Sequence, residues 1–215
     1  MFVSNNSYAA TDVKGAATQL IVTMTKVEIC ESGSTITNCL NPTDITVNGG
    51  GTADIASVAA GASAATVADF SLAPLGKTYT HIQTTMSRAF TITGKAGTGG
   101  KCTTIAGTNG ALNADAAGAL NGTPGSAILY VPFFSANANY TMMEGSDANG
   151  ENLAPNSSVR AADTHFRSRN ALTNTYTPVA GSSPTVFVAF DTSIAVNELD
   201  AVSYTHLTLP TNREV

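Results

Sequence analysis

Tryptophan is missing from this chain, and aromatic residues make up only 7% of its 215 residues. A carbohydrate platform built on indole rings is thereby excluded, although tyrosine platforms are not. Charge is scarce as well. Asp, Glu, Lys and Arg together reach 12%, about half the share of an ordinary soluble domain. The polar surface must therefore come from Thr, Ser, Asn and Gly, which suits secreted β-proteins better than cytosolic enzymes. The chain is not of the disordered type, which couples high charge to low hydrophobicity, because 43% of it is hydrophobic. No two basic residues are adjacent, and the net charge is −5. The one local concentration of positive charge, Arg160, Arg167 and Arg169, has Asp163 among it. A nucleic-acid groove needs a sustained basic surface to displace counterions, so no nucleic-acid partner is expected. No apolar run approaches the ~20 residues of a membrane span.

Catalytic and cofactor signatures are missing too. There is no G-x-S-x-G elbow, Walker loop, H-E-x-x-H or G-x-G-x-x-G. No catalytic residue, cofactor or metal is expected. His81 falls on the polar parity of a long strand and reads as a surface histidine. His165, two residues after Asp163 and next to Phe166 and Arg167, fits an acid–base pair or an anion site on paper, but a loop salt bridge is the simpler reading. Asp147-Ala-Asn149-Gly150-Glu151 has the oxygen-rich look of a calcium loop. It lacks the third oxygen ligand before the glycine and the closing glutamate, and reads as a polar turn. The sequons at Asn121, Asn139 and Asn156 are of the number that an Asn-, Ser- and Thr-rich chain produces by chance.

Three cysteines remain: Cys30, Cys39 and Cys102. Cys30 ends a β-like run, and the turn-rich segment around Gly33 brings Cys39 back towards it. A disulfide there closes a ring of about ten residues, worth roughly 3 kcal/mol in the chain-entropy model, and needs an oxidising compartment. Two buried free thiols are the alternative. Zinc spacing is not present. Cys102 is odd, which suggests a partner elsewhere.

Read for periodicity, Gln19 to Ile29 is a strand rich in β-branched residues. Ile45–Val47 and Thr52–Ile55, joined by Asn48-Gly49-Gly50-Gly51, read as a short hairpin. Ser63 is placed to cap a short helix through Phe70. The strongest element is Lys77 to Thr93. Its period of two puts Ile82, Met86, Phe90 and Ile92 on a buried face and Tyr79, Gln83 and Thr85 on a more exposed one. Arg88 breaks the apolar side, so a bend or bulge is expected near Ser87-Arg88. Residues 94–125 read as a long surface excursion with one short strand at Thr103–Ile105. Ala127–Phe134 and Thr185–Asp191 are further strands. Strands alternating with Gly/Asn loops, and no inter-domain linker, give an all-β fold. The expected form is an antiparallel β-sandwich with long Gly/Ala/Asn-rich loops and at most short helices.

Val22-Thr-Met-Thr-Lys-Val-Glu-Ile-Cys30, Asp54-Ile-Ala-Ser-Val-Ala-Ala-Gly61 and Pro74-Leu-Gly-Lys-Thr-Tyr-Thr-His-Ile82 resemble, over roughly the first half of the chain, exported bacterial β-sandwich domains of unassigned function. The resemblance implies export and a sandwich fold and carries over no site residue. Ser7-Tyr8-Ala9 puts small residues where a signal peptidase reads them, so residues 1–9 are expected to be a signal-peptide remnant, an ordinary N-terminus being the alternative. Residues 202–215, with the core Ser203-Tyr204-Thr205-His206-Leu207-Thr208-Leu209-Pro210-Thr211, resemble translated sequencing-adapter read-through of the kind found in metagenomic assemblies. A genuine last strand is the alternative there. The expectation is a single domain over 10–201, truncated at its C-terminus and followed by a non-native tail.

The expected function is that of a non-catalytic extracytoplasmic module in the periplasm, at the cell surface or secreted. Its role would be surface, adhesive or binding, with a protein or glycan partner. The alternatives are a strand-exchanging subunit of a surface polymer and a hydrolase acting on an extracellular polymer.

Overall fold

The β-branched run that follows Ala16 forms the spine of the molecule. A computed structural model describes residues 13–58, 65–97, 102–108, 116–131, 144–146, 159, 163–181, 192, 196–198 and 204–205. In chain order the strands are β1 (Val13–Gly15), β2 (Ala17–Glu31), β3 (Thr43–Asp44), β4 (Gly51–Asp54), β5 (Tyr79–Ser87), β6 (Ala89–Ala96) and β7 (Cys102–Thr104). They continue as β8 (Gly107–Thr108), β9 (Ala116–Leu120), β10 (Ala127–Tyr130), β11 (Glu144–Ser146), β12 (His165–Tyr176), β13 (Val196–Glu198) and β14 (Tyr204–Thr205). The fold is all-β, as the periodicity implies. Among the described residues every strand pair is antiparallel except the short β8–β10 pair. Among the described residues the helical content is one 3-10 turn, Phe70–Leu72, capped by Asp69 through a 2.8 Å bond from the Ser71 N–H.

β2 carries most of the sheet. One edge takes β5 along Met24–Glu31 and β6 along Ala17–Ile21. Its other edge takes β3 at Glu28–Ile29 and β4 at Ile21–Met24. The expected hairpin between Ile45–Val47 and Thr52–Ile55 is therefore corrected. Both arms lie along β2 rather than on each other, and Val47 bonds instead to Val67 O at 3.0 Å. The Asn48-Gly49 turn exists, with positive φ at both residues, but it is a loop-out in one edge strand. At Gly50 a Cβ would run into the Met24 carbonyl oxygen. The expected helix ending at Phe70 is also corrected. Ser63 lies outside the described residues, and residues 65–69 are extended because Val67 and Asp69 ladder with Val47 and Ile45. β-branched Thr66 and Val67 favour that conformation.

Lys77 to Thr93 forms a nearly continuous strand, broken as expected at Ser87-Arg88. Met24 faces Met86 and Ile21 faces Thr91, so the β5–β6 side has the longer stretch between those pairs. At that break the outer neighbour changes. β5 pairs with β12 and β6 pairs with β10. Arg88 sits in the fork, its N–H donating to Thr164 O at 2.9 Å and its carbonyl accepting from Val131 N at 2.8 Å.

Two core clusters follow from that break. One gathers Leu20, Val22, Met86, Phe90, Ile92, Leu129, Val159, Phe166 and Val196. The other gathers Val27, Ile29, Ile45, Phe70, Tyr79 and Ile82. Burying a side chain such as Phe90 or Phe166 stabilises by about 1.5–3 kcal/mol, and their rings lie 6.2 Å apart. The buried face containing Ile82, Met86, Phe90 and Ile92 is as expected. The expected exposure of Tyr79, Gln83 and Thr85 is corrected, since all three are buried. Tyr79 changes face because Cys30 pairs with His81 and Glu31 with Tyr79, leaving Thr80 bulged between them. Gln83 and Thr85 keep the opposite face, but that face is covered. The expected strand Thr185–Asp191, the polar turn at Asp147 and the sequons Asn139 and Asn156 lie outside the described residues, as do Leu207, Leu209 and Pro210.

Candidate functional sites: a polar sheet face and a loop end

On the second face of β2, β5 and β12, polar side chains stand in register. Lys26 and Arg167 flank Thr85, Glu28 and Arg169 flank Gln83, and Cys30 and Ala171 flank His81. The Gln83 amide joins the middle row. Its Nε2 donates to Glu28 Oε2 at 2.6 Å, and its Oε1 accepts from Arg169 Nε at 2.9 Å. Glu28 Oε1 takes the Lys26 ammonium at 2.9 Å. Arg169 Nη1 continues to Ile36 O at 2.9 Å, which ties the loop after Cys30 down over this face. Gln83 is 2% exposed and Thr85 1%, so the Gln83–Glu28 bond is shielded from water and strengthened accordingly. The Thr85 hydroxyl is the buried side-chain atom here without a hydrogen-bond partner.

This face holds groups in place rather than poising them for reaction. Both Glu28 oxygens are engaged. His81 is held below the usual histidine range, first by burial and then by the Arg169 charge, and its Nδ1 lies 2.9 Å from Thr80 Oγ1. His81 is therefore a buried, neutral histidine, where sequence parity expected a surface one.

The basic cluster is drawn into the fold instead of forming a patch. Arg167 is buried and Arg169 half-buried on β12, while Arg160 lies outside the described residues. Asp163 is also buried, and its carbonyl oxygen accepts from Arg88 Nη1 at 2.8 Å. His165 pairs through Nδ1 with Thr164 Oγ1 at 3.0 Å. Arg88 is 0% exposed and also donates from Nε to Val131 O at 3.2 Å. Burial lowers its pKa to about 10, against the opposing pull of Asp163 and Tyr130. It caps the last turn of chain at β10 and the first at β12, holding the fork open. Sequence reading placed Arg88 at a bulge but not in full burial, because the carbonyls it serves are some 40 or more residues downstream. Among the described residues no three His, Cys, Asp or Glu side chains converge as a metal set.

A second locale is the end of the sheet where β2 stops, β5 starts and β12 stops. The Cys30–Cys39 disulfide is present, with Cα atoms 5.2 Å apart, inside the bonding range. Cys102 is buried in β7 and takes no part in it. The loop closed by the disulfide is further fixed by Ser34 Oγ, which donates to Glu31 O and accepts from Leu40 N. It is joined to its neighbours by Ser32 N donating to Thr78 O at 2.8 Å, by the Lys77–Glu31 ion pair at 3.0 Å, and by the 2.9 Å bond between the Thr78 and Thr177 hydroxyls. Asn41 and Lys77 together hold the Glu31 carboxyl below its usual range. Ile36, Leu40, Leu72, Leu75 and Val179 all stand on these connected segments and are 38–66% exposed.

No protein-family model matches the chain, and no curated protein or solved structure matches it. Among the described residues no helix is long and apolar enough to cross a membrane.

Proposed function

We propose that the protein is a non-catalytic extracytoplasmic β-sandwich module whose work is binding. The observation that carries this reading is the disulfide-closed end of the sheet. The Cys30–Cys39 bond fixes a short loop whose tip is otherwise tied by a few hydrogen bonds. Such a bond forms and persists in oxidising compartments. Loops fixed on a rigid sheet are where β-proteins commonly place contact residues. The sequence resemblance to exported β-sandwich domains points the same way, and the engaged polar face offers no poised acid, base or nucleophile.

The test has two parts. Protein secreted into an oxidising compartment is unfolded without reductant and its thiols are titrated. One thiol per chain, that of Cys102, is expected, and three would remove the basis for export. The same protein is then assayed on polysaccharide, ester and peptide substrates. Turnover would replace the binding reading with the extracellular hydrolase.

The strand-exchange reading has one observation in its favour. β11 covers β12 only at His165–Arg167, and beyond that the outer edge of β12 pairs with no other described strand. An open edge is a template for a strand from another chain. Polymers that survive denaturing electrophoresis without heating would favour it.

A further inference from the structure

We propose that the loop closed by Cys30 and Cys39 is a redox-released strap: it lies across β5, and reduction of the disulfide by a dithiol uncovers His81 and Gln83 beneath it. The inference goes beyond the binding reading and does not depend on it.

The course of the strap follows from its anchors. Cys30 on β2 stands directly opposite His81, so its side chain emerges on the polar face. The bond to Cys39 brings the loop onto that same face. Earlier in the loop, Ile36 O accepts from Arg169 Nη1 on β12 at 2.9 Å. β5 lies between β2 and β12, so the loop is fastened to both outer strands and passes over the middle one. The rows it spans are Cys30–His81–Ala171 and Glu28–Gln83–Arg169, and His81 and Gln83 are both buried.

The strap is bonded within itself. Thr35 and Asn38 exchange backbone bonds of 2.8 and 3.1 Å near its tip. At its base Ser34 Oγ donates to Glu31 O and accepts from Leu40 N, and Glu31 N donates to Leu40 O at 2.9 Å. The tip reaches β12 through the Arg169–Ile36 bond, which lies at the exposed surface and competes with water. With the disulfide cut, the Glu31–Leu40 bond is left as a hinge.

The chemistry is thiol–disulfide exchange. Cys30 is 0% exposed, whereas Cys39 is half-buried in a mostly exposed loop. The thiolate of a dithiol therefore attacks Cys39 Sγ. The S–S bond breaks, and Cys30 leaves as a thiolate and takes up a proton. The second thiolate of the reductant attacks the mixed disulfide, and Cys39 leaves in the same way. Two electrons and two protons pass to the protein, and the dithiol ends as a disulfide.

His81 reports the opening. The charged groups on its face among the described residues are Lys26 and Glu28 on β2, which pair with each other, and Arg167 and Arg169 on β12. Glu31, at the end of β2, is held by Lys77 and Asn41. The strap between Glu31 and Cys39 reads Ser-Gly-Ser-Thr-Ile-Thr-Asn and carries no charge. Its release therefore moves no charged side chain and removes covering alone. Burial, the first cause of the lowered His81 pKa, is relieved, while Arg169 stays bonded to Gln83. The pKa should rise towards 6.5 without passing it.

The test follows His81 in the full oxidised chain, in the same chain after dithiothreitol, and in Cys39→Ser, which opens the strap without reductant. His81→Gln assigns its NMR signal. Opening is expected to raise the His81 pKa and to speed its carbethoxylation by diethylpyrocarbonate about tenfold, as for an occluded group that becomes open, with His165 unchanged. Circular dichroism should keep its β-sheet signal throughout. Three titratable thiols with an unaltered His81 would mean that hydrogen bonds alone keep the strap closed, and would overturn the proposal. Equal acceleration at His165, or loss of the β-sheet signal on reduction, would make the disulfide a staple of the whole fold and overturn it too. So would a disulfide that dithiothreitol reduces only once denaturant is added.

Discussion

The two faces of β5 are both buried, yet by different means. One face is filled by Val22, Met86, Phe90, Phe166 and Ile82. The other carries Lys26–Glu28–Gln83–Arg169, a chain of charge-assisted hydrogen bonds running across three strands. The first is held by area removed from water and tolerates loss of one group at a graded cost. The second is held by satisfied polarity, and removing any one member strands its neighbours. Alternation along a strand therefore told which residues share a face. It did not tell whether the polar face meets water.

The largest expected effects fall on the apolar face and at the fork. Phe90→Ala or Phe166→Ala should destabilise by about 3–5 kcal/mol. Arg88→Met keeps much of the volume but strips the Val131 and Asp163 carbonyls of a donor, and should cost about 2–5 kcal/mol. Denaturant midpoints at constant slope measure both. If Arg88→Met were neutral, the fork would be held by backbone pairing alone. Because the folded Arg88 pKa lies below that of the unfolded chain, its burial opposes stability at neutral pH, and this would ease only as pH rises past about 10.

On the polar face the expected effect is smaller. Gln83→Leu leaves Glu28 Oε2 and Arg169 Nε without this partner, and should cost about 1–3 kcal/mol. The double variant Gln83→Leu with Glu28→Leu should recover part of that loss, because two polar groups then leave together. Additive losses would mean that the network is a set of independent bonds. Lys26→Met takes the ammonium from Glu28 Oε1, on a side chain only 4% exposed, and should cost about 1–2 kcal/mol, less than the inner member because water can reach where the 30% exposed Lys26 stood.

Several features were legible because the signal was local. β2 announced itself by β-branching, the disulfide by its ten-residue ring, and the break at Ser87-Arg88 by a charge on an apolar parity. What was not legible depended on distant partners. Tyr79 changed face through a bulge at Thr80 that is defined only by β2 and β12. The Asn48-Gly49 turn has ideal hairpin chemistry, but the ladder of Val47 with Val67 took its first arm. β12 escaped notice because its core-facing parity reads Phe166, Ser168, Asn170 and Leu172, with too few apolar residues to show a period. The loop end was missed for a different reason. Ile36, Leu75 and Val179 stand on segments far apart in sequence, and those segments are joined only through the pairs Ser32–Thr78, Glu31–Lys77 and Thr78–Thr177.

The smallest effect would separate the polar face from the rest by pH. His81 is held below its ordinary pKa of 6.5 in the fold, chiefly by burial and secondarily by Arg169. The unfolded chain therefore takes up the proton first as pH falls. Stability contributed by neutral His81 is complete well above pH 6.5, declines as pH drops through that value, and stops declining below the folded pKa. Glu31 is displaced downward by Asn41 and Lys77. Its contribution is present above 4.5 and is lost as pH falls below it, so the upper part of the His81 window lies clear of it. The measurement is the difference in unfolding free energy between wild type and His81→Gln, taken from pH 8 to pH 5. The difference should be level above about pH 7 and should shift in favour of the variant as the solution is acidified. A flat difference across that interval would mean that solvent reaches the ring, and that the covering of this face by the disulfide loop is looser than the Arg169–Ile36 bond implies.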